Sequence, residues 1–193
     1  MKRLHLLSLQ QTCDKDFIHR VEKESGQQVS KCYQCGNCSA SCNYTYVYDY
    51  PVNQIMRLIQ LGQKDVVLQA RSVWLCANCQ ACSTRCPCNI DVARVMESLR
   101  IISVEEGMVS KKKIKLFYDE FLSSVKKHGR VFETGLIAAY NIKALKPFTD
   151  ADLGARVLKK GKLELHPHNI KGRKDVAEIF NRFEAYSKNR DID

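Results

Sequence analysis

Two cysteine runs constrain this 193-residue chain more than any other feature. Cys32, Cys35, Cys38 and Cys42 follow the spacing C-x2-C-x2-C-x3-C. Cys76, Cys79, Cys82 and Cys86 repeat it 44 residues later, followed by Pro87. A structural zinc ion draws two C-x2-C knuckles from well-separated segments, because tetrahedral closure needs the chain to return from another direction. Three cysteines at successive x2 spacing suit a cubane instead, in which one tight loop gives a thiolate to each of three irons. The fourth iron takes its ligand from elsewhere, and in two-cluster bacterial ferredoxins the fourth cysteine of this run serves the other cluster. The spacing therefore predicts two 4Fe-4S clusters. Cluster one is held by Cys32, Cys35, Cys38 and Cys86, and cluster two by Cys76, Cys79, Cys82 and Cys42. Zinc is the disfavoured alternative. Ligation across the 55 residues from Cys32 to Cys86 implies a compact unit with a radius of gyration of roughly 10 Å. Two such centres are then neighbours, as a relay for single electrons requires.

The remaining cysteines, Cys13 and Cys88, read as free thiols, Cys88 standing too near Cys86 to serve the same cluster comfortably. Ten cysteines in 193 residues lie below the ~8–10% that marks a disulfide scaffold. The apolar stretch after Met1-Lys2-Arg3 is too short for an export signal, and no run approaches the ~20 apolar residues of a membrane span. The expectation is a cytoplasmic protein without a transmembrane segment, in which clustered cysteines are metal ligands. The net charge of +10 is uneven: residues 1–92 carry 10 basic and 7 acidic side chains, residues 93–193 carry 21 and 14. A basic excess could serve nucleic acid, but no aromatics interleave with the basic residues and no reader motif occurs, so no nucleic-acid partner is expected. Lys111-Lys112-Lys113 reads as a solvated face, and so do Lys31 and Arg85, although each adjoins a ligand.

Helix periodicity fills the rest. Pro51 opens and Gly62 closes a helix carrying Val52, Ile55, Met56 and Ile59, and a short one fits Lys64 to Ala70. Asp91 is placed to cap a helix with Val92, Val95, Met96, Leu99 and Ile102 that stops at Gly107. Ser110 is placed to cap the next, which Gly129 ends. Further helices are expected around Val131 to Ile142, Asp152 to Lys160 and Asp175 to Tyr186, with breaks at Lys146-Pro147 and His166-Pro167-His168. The tyrosines from Tyr44 to Tyr50 read as packing groups, and Trp74 as a wall that keeps water from a cluster. The expected fold is all-α: a helical two-cluster ferredoxin-type region over 1–92, then a helical extension over 93–193 for packing and subunit docking.

On these residues the chain resembles the C subunit of heterodisulfide reductase. The likeness rests on Cys-Tyr-Gln-Cys-Gly-Asn-Cys-Ser-Ala-Ser-Cys at 32–42, the helix from Pro51 to Gly62, and Val73-Trp74-Leu75-Cys76. It extends through Gly129-Arg130-Val131-Phe132-Glu133, Gly135-Leu136 and His166-Pro167-His168-Asn169-Ile170-Lys171-Gly172. Cys13 and Cys88 lie outside the pattern. The resemblance implies an α-helical ferredoxin fold and a non-catalytic electron-transfer subunit in a hetero-oligomer. It implies relay of electrons between a flavin-containing A subunit and a B subunit with CCG domains that cleaves a disulfide. The alternative is the relay subunit of another dehydrogenase, of succinate, glycolate or glycerol-3-phosphate type. The chain agrees in showing no nucleotide loop, nucleophile elbow or paired carboxylates. Two oxidised clusters with eight thiolates contribute roughly −4, which turns the net charge to roughly +6 and leaves the basic helices as a docking surface.

Overall fold

The computed structural model describes residues 13–145, 156–157, 159–161, 164 and 166–190, and no strand occurs among them. The chain divides into two compact units, 1–111 and 112–193.

The first unit is built from helices α1 (Lys15–Ser25), α2 (Asn37–Ala40), α3 (Val52–Gln60), α4 (Lys64–Leu68), α5 (Arg71–Leu75), α6 (Ala81–Thr84) and α7 (Val92–Glu105), with single 3-10 turns at Val29–Lys31 and Thr45–Val47. Their order follows from local chemistry. Asp14 caps α1 by accepting the Phe17 N–H at 2.8 Å. Asp91 caps α7 by accepting the Arg94 N–H at 3.1 Å, as its position predicts. Helix α5 takes its cap from far away in sequence: the Asp49 carboxylate accepts the Arg71 N–H at 2.8 Å, the Ser72 N–H at 2.9 Å and the Ser72 hydroxyl at 2.6 Å. Burial pushes the Asp49 carboxyl up, but these hydrogen bonds outweigh it and hold the pKa below its usual value.

The apolar stripe of α3 buries Val52, Ile55, Met56, Leu58 and Ile59, and that of α7 buries Val92, Val95, Met96, Leu99 and Ile102. Helix α7 packs against α1, α4, α5 and α6, so the unit boundary lies at 111/112 and not at the expected 92/93. A helix whose apolar face fills the cluster domain's core cannot belong to an extension. Gly62 ends the α3 segment with φ 61°, and a Cβ there would stand 2.5 Å from the backbone nitrogen of Asp14. That glycine lets the start of α1 lie against the turn, where the Asp14 N–H donates to the Gly62 carbonyl at 3.0 Å.

The second unit holds α8 (Lys112–His128), α9 (Glu133–Lys143) and α10 (Arg173–Arg190), with α9 and α10 both against α8. Ser110, expected to cap α8, donates its hydroxyl to the Ala70 carbonyl at 3.2 Å in the first unit instead. Lys126 pairs with Glu184 at 2.7 Å, Lys143 with Glu120 at 2.5 Å, and His128 Nδ1 lies 2.9 Å from Asn169 Oδ1. The break at Lys146-Pro147 and the start of the helix expected at Asp152 lie outside the described residues. Among the described residues, no helix is long and apolar enough to cross a membrane.

Candidate metal centre

The 44-residue repeat is a repeat of backbone as well as of cysteines. Gln34 and Asn78 occupy equivalent positions with φ of 65° and 54°, and Gly36 and Gln80 do so with φ of 82° and 66°. Two left-handed residues in each run curl it into a tight loop, which then enters a single helical turn, α2 or α6. Glycine meets this demand at one of the four positions only. Asn, whose short amide tolerates the left-handed region, and two glutamines meet the rest.

Exposure repeats too. The third cysteine of each run, Cys38 or Cys82, is buried; the second, Cys35 or Cys79, is exposed; the first and fourth are half-buried. A serine follows each buried cysteine and pins it to the helix beyond. Ser39 accepts the Asn53 N–H at 2.9 Å and donates to Asn53 Oδ1 at 2.7 Å. Ser83 accepts the Ala93 N–H at 3.1 Å and donates to Asp91 Oδ1 at 2.7 Å. The Ser41 hydroxyl donates to the Asn37 carbonyl at 2.9 Å in its own turn and lies 3.3 Å from the Ala81 carbonyl, where α2 packs against α6 and brings one run beside the other.

The cysteines gather across the two runs. One cavity is lined by Cys32, Cys35 and Cys38 of the first run and by Cys86 of the second, with Tyr33 and Cys88 at its wall. Cys42 and Cys76 both lie beside the Tyr48 phenol. Burial, then the charges of Cys76 and Cys42, raise the pKa of that phenol, so it stays protonated and able to donate its one proton to either sulfur. Burial, with the Cys76 charge adding, pushes the Cys82 thiol up to about 11, and burial raises Cys38 as well. Binding iron therefore releases protons from these thiols.

The first cysteine of each run is gripped at its carbonyl. Gln60, at the end of α3, donates Nε2 to the Cys32 carbonyl at 2.8 Å and to the Val29 carbonyl at 3.0 Å. Arg100 on α7 donates Nη1 to the Cys76 carbonyl at 3.4 Å. Gln34 Nε2 stands 3.4 Å from Cys32 Sγ. Sequence spacing points to none of these grips, because each joins residues with no fixed offset. Cys88, expected to be a free thiol, is free of any disulfide and half-buried; it donates to the Lys31 carbonyl at 3.1 Å and lines the same cavity as Cys86. Cys13 is exposed.

The donor set fits iron–sulfur clusters. All ten cysteines are free of disulfides, and among the described residues no three His, Cys, Asp or Glu side chains converge on a point where one ion could sit. Thiolates spread around a cavity suit a multi-iron core that takes each at a different iron. Trp74, 4% exposed and two residues before Cys76, buries an indole N–H with no acceptor among the described residues.

Comparison with known proteins agrees. Residues 28–90 match the 4Fe-4S dicluster domain. The C subunit of the H2:CoB-CoM heterodisulfide,ferredoxin reductase of Methanothermobacter thermautotrophicus is 30% identical over 97 residues, covering 50% of this chain and 52% of that protein. The iron-sulfur C subunit of the CoB–CoM heterodisulfide reductase of Methanopyrus kandleri is 33% identical over 90 residues, 47% of each. The iron-sulfur subunit of the 8-methylmenaquinol:fumarate reductase of Wolinella succinogenes is 25% identical over 176 residues, 81% of this chain and 54% of that protein. The chain spans about half the length of the curated relatives it matches. The cofactors are two 4Fe-4S clusters. The chain is therefore an iron–sulfur protein that carries a 4Fe-4S dicluster domain and resembles the C subunits of the heterodisulfide reductases.

Proposed function

We propose that this chain is the electron-relay subunit of a cytoplasmic heterodisulfide reductase-like complex. In this reading it passes single electrons between a flavin-containing A-type subunit and a CCG-domain B-type subunit that reduces a disulfide. Ligation is crossed: Cys32, Cys35, Cys38 and Cys86 hold one cluster, and Cys76, Cys79, Cys82 and Cys42 the other. The observation that carries this reading is the cavity lined by three cysteines of one run and the fourth of the other. The position of Cys42 and Cys76 beside Tyr48 supports the reciprocal half.

When bound, each cluster supplies a one-electron couple, and the chain's own residues do the rest. The serine pins and the packing of α2 on α6 hold the two loops side by side, which keeps the clusters close enough to exchange an electron. Buried Val92, Ile90 and Met56 at the first cavity exclude water. Exposed Cys35 and Cys79 bring one edge of each site to the surface, where partners can exchange electrons. The second unit, basic and helical, is the docking surface. Its exposed lysines meet acidic partners once cluster charge has offset part of the +10.

Anaerobic purification should give about eight irons and eight sulfides per chain; stoichiometric zinc in their place refutes the reading. Cys86→Ser should alter the spectrum of the cluster that Cys35→Ser also alters, and Cys42→Ser that of Cys79→Ser. The opposite pairing refutes the crossing. A second reading, a relay subunit of fumarate reductase type, draws on the alignment that runs over 81% of the chain. Co-purified subunits decide between them: a flavoprotein with a CCG-domain protein for the first, a dicarboxylate-reducing flavoprotein for the second.

A further inference from the structure

The repeat is broken in its electrostatics. At the first run the carbonyl of the leading cysteine is held by a neutral amide, Gln60, at 2.8 Å. At the second it is held by a guanidinium, Arg100, at 3.4 Å. Arg100 is half-buried on α7, whereas Lys31 and Arg85, the cations next in sequence to Cys32 and Cys86, are exposed and screened by water and salt. Asp49 faces Arg71 and the N-terminus of α5, Asp91 receives the Ser83 hydroxyl and caps α7, and Glu105 and Glu106 pair with Arg20 and Lys64. Asp65 and Glu97, the latter one turn before Arg100 on α7, are exposed and screened by water and salt. A second difference acts in the same sense: Tyr48 places its hydroxyl against Cys42 and Cys76, while 44 residues on the equivalent position is Val92, apolar and at the first cavity. A fixed cation and hydrogen-bond donors beside a cluster stabilise the added electron.

We propose that Arg100 raises the reduction potential of the cluster built on Cys76, Cys79 and Cys82, and so biases an electron shared by the two clusters toward that one. The inference rests on the two-cluster reading but not on the crossing, because Cys76 belongs to the same cluster either way.

Arg100→Gln removes the charge and keeps an amide donor. Potentiometric titration of the holoprotein, followed by paramagnetic resonance and with signals assigned through Cys79→Ser, should find that cluster's midpoint lowered and the other unmoved. The exchange equilibrium between the clusters should shift about tenfold, which is about 59 mV for a one-electron couple. Arg100→Lys should retain the original value. No shift, or equal shifts of both clusters, overturns the proposal while eight irons per chain leave the two-cluster reading intact; fewer irons in the unaltered protein refutes that reading instead. If Arg100→Gln does not assemble, Gln60→Arg carries the test by bringing a cation to the Cys32 carbonyl. The other cluster's midpoint should then rise, and an unchanged gap counts against the proposal.

Discussion

The two units spend their apolar residues in opposite ways. In the first, α3 and α7 turn whole stripes inward, and Ile55, Ile59, Val95, Leu99 and Ile102 are fully buried. In the second, Leu136 and His128 alone are buried among the described residues, while Phe117, Phe121, Leu122, Ile179 and Phe183 stay exposed. The difference follows from what each unit holds. A loop that presents three thiolates from a few residues of irregular backbone cannot fix itself, so the helices around it must form a core that does. Among the described residues, helices α8, α9 and α10 of the second unit carry no such loop and leave their apolar faces open.

Truncation in the first core is the strongest test of this contrast. Leu99→Ala should cost about 2–5 kcal/mol, because Leu99 is fully buried on α7, which packs against α1, α4, α5 and α6, and shortening it leaves a cavity there. Thermal melting of the holoprotein measures it, and a loss under about 1 kcal/mol would mean that the clusters and not the helices hold the unit. Ser72→Ala comes next at about 1–3 kcal/mol. The hydroxyl donates to Asp49 or the Tyr50 carbonyl and accepts the Tyr50 N–H at 3.1 Å, so its loss strands buried polar groups beside the helix that leads into Cys76. Iron at the second run should become easier to chelate than at the first, and equal chelation rates would separate Ser72 from the site.

Much of the first unit is legible in the residues themselves. The doubled run announces two clusters, and the helix punctuation at Pro51, Gly62, Asp91 and Gly107 sets the ends of α3 and α7 to within about two residues. These signals lie within a few positions of what they control. Three things are not legible. The boundary moves from 92/93 to 111/112, because amphipathicity says that α7 has an apolar face but not which core it enters. The short helices α2, α5 and α6 are single turns fixed by distant groups, such as Asp49 for α5, and no periodicity marks so few residues. The grips of Gln60 and Arg100 on the leading cysteines stand at offsets of 28 and 24 residues, so the repeat conceals the very place where its two halves differ.

A smaller effect probes the serine pins. Asp91→Ala removes the cap of α7 and the acceptor of the Ser83 hydroxyl together, and should cost about 0.5–2 kcal/mol. A double-mutant cycle with Ser83→Ala should return less than the sum of the single losses, because both remove one shared bond. Full additivity would show that Asp91 acts as a cap alone and leaves Cys82 unpinned.

The smallest effect is expected where the largest side chains stand exposed. Phe183 on α10 is 67% exposed and Ile179 59% exposed, beside Phe180 and across a groove from Leu122 on α8. A side chain already in water in the folded chain loses little when it is shortened, so Phe183→Ser should change the melting of the isolated protein by no more than about 0.5 kcal/mol. The Lys126–Glu184 pair at 2.7 Å still spans α8 and α10, although an exposed pair of this kind contributes only about 0–1 kcal/mol. A loss of several kcal/mol would place Phe183 in a core and end the contrast between the units. A neutral outcome sharpens it, because an aromatic that does nothing for its own fold leaves association as the effect to measure. Recovery of partner subunits with the Phe183→Ser chain is then the informative comparison. Unchanged recovery would remove this face from the docking surface, and a reduced yield would assign the open apolar faces of the second unit to the assembly of the complex.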